Sequence, residues 1–109
     1  MMQSAMCTPL WPARSASTAH LVMCPFAGGS SSAFRCWREQ PMADIALSLV
    51  TWPGRDRLRH LTPLNSIMPL AVRLANELQQ SVSPEAPLLL AGHSMGAQVA
   101  FETRSEERR

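Results

Sequence analysis

A chain of 109 residues has room for one small domain and not for two. Its 46% apolar content can build a core, and 17% charged residues without a long like-charge block argue against a disordered chain. A net charge of +2 is too small to direct it to nucleic acid or an anionic membrane, and all ten basic residues are arginine, which excludes Schiff-base and Ser–Lys chemistry.

Residues 1–19 mix Ser, Thr, Pro and Ala without periodicity and read as an extended lead-in. No basic start followed by an apolar stretch is visible there, so no signal peptide is expected. His20-Leu21-Val22-Met23-Cys24 is a short apolar run stopped by Pro25, the pattern of a buried strand. Phe26 to Ser32 supply loop residues, and Ala33 to Glu39 read as a helix with one of the serines as N-cap. A second apolar run, Ile45 to Trp52, is closed by the Pro53-Gly54 turn, and Arg55 to Leu64 form a polar, basic loop.

The clearest helix follows. Ile67, Leu70, Ala71, Leu74, Ala75 and Leu78 recur on one face at helical spacing. Asn65 or Ser66 can cap it, and Pro69 is tolerated in the first turn. Ser83-Pro84-Glu85-Ala86-Pro87 ends it. A third apolar run, Leu88 to Ala91, leads into Gly92-His93-Ser94-Met95-Gly96, and Ala97 to Glu102 start another helix. Apolar strands alternating with helices predict an α/β fold, a mainly parallel sheet in a three-layer sandwich.

Thr103 to Arg109 contain no apolar residue, where a helix packed on a sheet should go on presenting one. The expected organisation is therefore a partial domain over 20–103 and an off-pattern polar tail over 104–109, with truncation or a changed reading frame after about Thr103. Cys7, Cys24 and Cys36 lack C-x-x-C spacing and histidine partners, so they read as free thiols in a reducing compartment, with no metal. No apolar run reaches the length of a membrane span, and a soluble, cytoplasmic protein is expected.

The chemistry lies in Gly92-His93-Ser94-Met95-Gly96. A Gly-x-Ser-x-Gly between an apolar strand and a helix is the elbow of a serine hydrolase, with Ser94 as nucleophile on a strained turn. Gly92 and Gly96 leave room for close passage of the backbone; the bland alternative is a strand-to-helix turn with Ser94 as N-cap. One oxyanion donor is expected from the Met95 N–H, the other from the loop after the first strand, at Ala27 or failing that Phe26. Gly28 and Gly29 let that loop pass close to a ligand. Phosphate binding by the same loop is the weaker alternative, since no Gly-Lys-Ser/Thr follows.

Cys24-Pro25-Phe26-Ala27-Gly28-Gly29-Ser30, Trp52-Pro53-Gly54-Arg55-Asp56-Arg57 and Gly92-His93-Ser94-Met95-Gly96-Ala97 together resemble the type II (external) thioesterases of nonribosomal peptide and polyketide synthesis, over about His20 to Glu102. Within that family the thioesterases of yersiniabactin-type siderophore operons are similar in particular. The resemblance implies the N-terminal portion of an α/β-hydrolase, truncated after the nucleophile elbow. It also implies hydrolysis of misloaded acyl groups from the phosphopantetheine arms of an acyl or peptidyl carrier protein, an editing role that needs no cofactor. In α/β-hydrolases the acid and then the histidine follow the serine. Here only Glu102, Glu106 and Glu107 follow, and no histidine. His93 reads as a shaper of the elbow and only secondarily as the base, and His20 and His60 are remoter candidates for that role. Little or no activity of the isolated chain is therefore expected.

A non-catalytic remnant that contacts a carrier protein, and a general carboxylesterase, are the alternatives. Arg55, Arg57, Arg59 and His60 read as a solvated loop, or as a contact for an acidic carrier protein. Trp37 and Trp52 are expected to pack, and Met23, Met42 and Met68 to fill the core. The strand before Ser94 is expected at an open sheet edge, with low stability as the consequence.

Overall fold

The computed structural model describes residues 5–25, 44–55, 58–62 and 66–107. The helix expected over Ala33 to Glu39, together with Phe26, Ala27, Gly28, Gly29, Cys36, Trp37, Met42, Arg57 and Asn65, lies outside them. The elements are β1 (Cys7–Trp11), β2 (Ala19–Cys24), β3 (Ile45–Val50), α1 (Ile67–Ser81), β4 (Leu88–Gly92) and α2 (Met95–Glu107).

The four strands form one sheet in the order β1-β3-β2-β4. β2 pairs parallel with β3, from Ala19 opposite Ile45 to Met23 opposite Leu49, and with β4, from His20 opposite Leu88 to Cys24 opposite Gly92. The three apolar runs of the sequence are thus the three parallel strands. β4 ends the sheet among the described residues, as its place before the elbow led one to expect.

Residues 7–11, expected as part of a lead-in, are extended but belong to the sheet: β1 pairs antiparallel with β3, with a bulge between Pro9 and Trp11. Proline removes a ladder donor, so β1 is tolerable only at an edge, where it sits. Its start is tied to α1. The Glu77 carboxylate accepts the backbone N–H of Met6 on Oε1 and of Cys7 on Oε2, each at 2.8 Å. Bonds to a charged acceptor are each worth about 1.5–3 kcal/mol. Glu77→Ala, which removes both, is expected to destabilise the chain by about 3 kcal/mol and to speed amide exchange in β1 before β2 or β3. Unchanged exchange in Cys7–Trp11 would show that the carboxylate does not hold the strand.

Strand alternation splits the sheet into two faces. Val22, Cys24 and Val50 join Leu70, Ala71, Leu74 and Leu78 of α1 and Val99 and Ala100 of α2 in the main core. Leu47 and Leu49 join Trp11 on the other face, with Leu21, Met23 and Ile45 half-buried against them. Met23 is thus a packing residue, as expected. Both described helices cover the first face, to which β3 contributes Val50.

α1 buries the stripe its spacing predicts: Leu70, Ala71, Leu74, Ala75 and Leu78. Burying each leucine contributes roughly 1.5–3 kcal/mol. Ser66 occupies the N-cap with extended backbone, yet its side chain makes no cap bond. Met68 departs from expectation. It is 43% exposed, because it lies one position off the buried stripe. α2 runs to Glu107, past the 103/104 boundary expected for the tail, and Thr103 is buried with no hydrogen-bond partner for its hydroxyl among the described residues. Glutamate and arginine are good helix formers, so a tail without apolar residues still prolongs the helix. No helix among the described residues is long and apolar enough to cross a membrane.

Candidate active site

In a parallel strand–helix unit the helix runs back against its strand, so α1 and α2 both begin at the carboxyl edge of the sheet. There β4 ends at Gly92 and α2 begins at Met95, leaving His93 and Ser94 to make the whole turn. Ser94 has φ 59, making it the one non-glycine residue with positive φ among those described. A side chain in that conformation costs on the order of 1–2 kcal/mol. The turn is held shut by main-chain bonds: His93 N–H donates to the Cys24 carbonyl at 3.1 Å, Gly96 N–H to His93 at 3.0 Å and Ala97 N–H to Ser94 at 2.9 Å.

Ser94 is exposed, while Gly96 behind it is buried. A Cβ on Gly96 would overlap the carbonyl oxygens of Cys24 and Pro25, and one on Gly92 would overlap the backbone of Gly96. Both glycines are therefore needed for β2, β4 and α2 to meet, and their meeting pushes Ser94 outward. The Met95 N–H, first in α2, is among those that a helix start leaves without an intrahelical carbonyl, and the helix dipole favours negative charge there. An exposed hydroxyl, a spare amide and a helix N-terminus at one point can attack a carbonyl and hold the resulting oxyanion.

The close approach of Gly96 also fixes the chain at Pro25, the entry of the loop read from the sequence. Pro25 is buried, and its carbonyl accepts a bond from Trp52 Nε1 at 3.1 Å. Trp52, read from the sequence as packing alone, is both buried and a donor that pins the entry of this loop to the Pro53-Gly54 turn. The turn is closed by Gly54 N–H to Leu58 at 2.9 Å and Leu58 N–H to Arg55 at 2.8 Å, with Gly54 at φ 91. No signal within a short stretch of sequence reveals the bond, since its two residues lie 27 positions apart. Ala27 and Phe26 themselves lie outside the described residues, so the second amide is fixed only as far as Pro25.

The histidines do not complete the site. His20 sits second in β2, opposite Leu88; the four strand residues from there to Gly92, at about 3.3 Å each, already separate it from the elbow by roughly 13 Å. His60 is exposed in the turn before α1, and His93 is exposed beside Ser94. Glu102 lies eight residues into α2 from Ser94, roughly 12 Å along the axis, too far to orient a base there. Arg55 and Arg59 are exposed, in keeping with a solvated loop. Among the described residues no group of three His, Cys, Asp or Glu is placed to hold a metal ion.

Cys24 closes the back of the elbow, fully buried, and burial pushes its thiol from 9.0 up to about 12. The folded chain therefore keeps the thiol protonated while the unfolded chain ionises above 9.0. Stability is unaffected below that value and falls as pH rises toward about 12, by up to about 1.4 kcal/mol per unit. In urea melts across this window, Cys24→Ala is expected to lose stability with pH less steeply than the parent. Parallel curves would show that another group controls the alkaline limb.

The sequence profile of the family described as "Thioesterase domain" matches residues 19–108. The chain belongs to the thioesterase family. It is similar to the probable anguibactin biosynthesis thioesterase AngT of Vibrio anguillarum, 42% identical over 84 residues, covering 76% of this chain and 33% of that protein. It is also similar to the gramicidin S biosynthesis protein GrsT of Aneurinibacillus migulanus, 33% identical over 88 residues, covering 81% and 34%. Among solved structures, YbtT, a type II thioesterase from the yersiniabactin NRPS/PKS pathway, superposes with a TM-score of 0.86 at 76% identity, covering 96% of this chain and 43% of that one. The type II thioesterase BorB from the borrelidin cluster superposes with a TM-score of 0.82 at 31% identity, over 94% and 41%. The described fold is thus the mixed, mostly parallel sheet of the N-terminal part of thioesterase α/β-hydrolases. The chain spans about a third of the length of the two relatives AngT and GrsT.

Proposed function

We propose that this chain supplies the nucleophile and the oxyanion donors of a thioesterase that removes acyl groups from the phosphopantetheine arms of a carrier protein in siderophore or other nonribosomal peptide synthesis. The observation that carries the reading is the exposed Ser94 at φ 59 between β4 and the N-terminus of α2. Its Oγ attacks the thioester carbonyl and a base takes the proton. The N–H groups of Met95 and, by the sequence assignment, Ala27 hold the oxyanion. Thiol leaves and water releases the acid from the acyl-enzyme. Gly92 and Gly96 shape the elbow, with His93 in its turn. No resident cofactor enters these steps. Cys24, a free thiol, fits a reducing cytoplasm beside the synthetase.

His20 and Glu102 lie too far along β2 and α2 to serve as base and acid, and His60 and His93 stand exposed, so the chain alone is expected to react several orders of magnitude more slowly than a full triad. A fluorophosphonate probe, read by mass on the peptide containing Ser94, tests the nucleophile. Slow labelling at Ser94 is the expected result, and an acyl-pantetheine thioester should slow it further. No label under conditions that label YbtT would leave only a non-catalytic, carrier-contacting role. Equal protection by a matched oxygen ester would favour a general carboxylesterase.

A further inference from the structure

The two edges of the described sheet are finished differently. β1 is guarded, because Pro9 lacks a donor and a bulge separates it from Trp11. β4, the other edge among the described residues, runs Leu88-Leu89-Leu90-Ala91-Gly92 in unbroken register with β2, with no proline and no charge. Its spare main-chain groups follow from the bonds at its two ends. His20 N–H donates to the Pro87 carbonyl at 2.8 Å, and His93 N–H to the Cys24 carbonyl at 3.1 Å. Peptide groups turn alternately to the two sides of a strand, so those of Pro87, Leu89, Ala91 and His93 all face β2. The N–H and C=O of Leu88, Leu90 and Gly92 therefore face the open edge. Leu89 adds an apolar side chain, 50% exposed, beside Leu21 on the sheet face away from α1 and α2.

We propose that a second copy of this chain docks on β4, strand against antiparallel strand, about a two-fold axis at Leu90. In that register Leu90 exchanges main-chain bonds with Leu90 of the second copy, and Leu88 with its Gly92, so every outward N–H and C=O of the strand finds a partner. The neighbouring registers do worse. An axis at Leu89 sets Gly92 opposite Ala86, whose N–H already goes to the Ser83 carbonyl, and an axis at Ala91 sets Leu88 opposite Ser94, where the chain has left the strand. The axis at Leu90 also lays Leu89 over the small Ala91 of the second copy, which covers its exposed surface. Charges are compatible: exposed Glu85, just before β4, approaches the end of the second copy that carries His93 and no second carboxylate. Because β1 is guarded at the far edge, pairing closes at two copies and does not propagate into a fibre. A pair of five-residue strands stays below the roughly 1,000 Å² of a stable interface, so the dimer is weak, half-formed on the order of tens of micromolar.

The test is sedimentation equilibrium of the whole chain, joined to hydrogen exchange over the same concentrations. A monomer–dimer equilibrium is expected, and as the dimer forms the amides of Leu88, Leu90 and Gly92 should exchange more slowly, while those of Leu89 and Ala91, already bonded to β2, hold their rates. Leu89→Lys puts a charge on the edge at a half-exposed position and should weaken the dimer at least about tenfold. Val72→Lys, 40% exposed on α1, should leave it unchanged. Amide protection in β2 and β3 shows that both variants fold. The register has its own readout, which needs neither lysine variant. Leu89→Cys and Ala91→Cys chains, mixed and oxidised, should join to each other faster than either joins to itself, since the two positions face each other at disulfide distance. A chain monomeric at about ten times the expected midpoint overturns the proposal, and so do Leu88, Leu90 and Gly92 amides slow to exchange in the monomer, which would place the cover within one chain. Open-ended aggregation, a dimer indifferent to Leu89→Lys or equally weakened by Val72→Lys, and Leu89→Cys joining to itself as readily as to Ala91→Cys overturn it as well.

Discussion

Gly96→Ala is expected to destabilise the chain by at least about 3 kcal/mol, the upper range for forcing a methyl into filled space. The added Cβ would overlap the carbonyls of Cys24 and Pro25. These are main-chain atoms of β2 and its exit, not the ends of flexible side chains, so they cannot step aside without breaking the ladder. The Cys24 carbonyl also accepts the His93 N–H that closes the elbow, and the Pro25 carbonyl accepts Trp52 Nε1. A shift of either one loosens the turn carrying Ser94. Small domains hold only about 5–15 kcal/mol in total, so a large part of the chain's stability would go. Urea midpoints against an exposed control on the same helix, Arg104→Ala, expected within about 0.5 kcal/mol of the parent, would measure it. A Gly96→Ala midpoint matching the control would mean that α2 does not approach β2 as closely as described, and the elbow geometry would go with it.

What the sequence made legible follows from how local each signal is. α1 could be read because its stripe from Ile67 to Leu78 repeats within one helix. β2, β3 and β4 could be read because each is mostly apolar and each is stopped, by Pro25, by Pro53-Gly54 and by the Gly92 elbow. β1 could not. Cys7-Thr8-Pro9-Leu10-Trp11 has a proline at its centre, its partner β3 lies nearly forty residues later, and the carboxylate that anchors it, Glu77, is seventy residues away in Cys7's count. Neither relation leaves a trace in a short window. The sheet order is invisible for the same reason, since parallel neighbours are joined only through distant crossovers.

The site divides along the same line. Gly92, Ser94 and Gly96 are five consecutive positions' worth of pattern, and the structure places all three at one turn, with Met95 opening α2. The link from Trp52 to Pro25 joins two motifs 27 residues apart and had to be seen. Met68 was misjudged because composition was taken for position. A methionine beside a buried stripe is not on it, and a polar run of good helix formers continues a helix whether or not it packs.

Ser94→Ala and Ser94→Gly are expected to share one outcome and differ in another. Both delete the hydroxyl, so covalent capture at this position should vanish; in serine hydrolases, loss of the nucleophile removes on the order of a millionfold in turnover. Their stabilities should separate. Alanine keeps a Cβ at φ 59 and therefore the strain, whereas glycine adopts that conformation freely. Glycine also gives the unfolded chain more freedom, which offsets part of the gain. The balance is expected to leave Ser94→Gly about 1 kcal/mol more stable than Ser94→Ala, where the same exchange inside a helix would make glycine the worse by a similar amount. Equal midpoints, or alanine ahead, would mean that the turn stores no strain. A stabler chain that has lost its reactive group is the sign of a conformation kept for what it exposes, since nothing in the packing of β4 or α2 requires a side chain at that position.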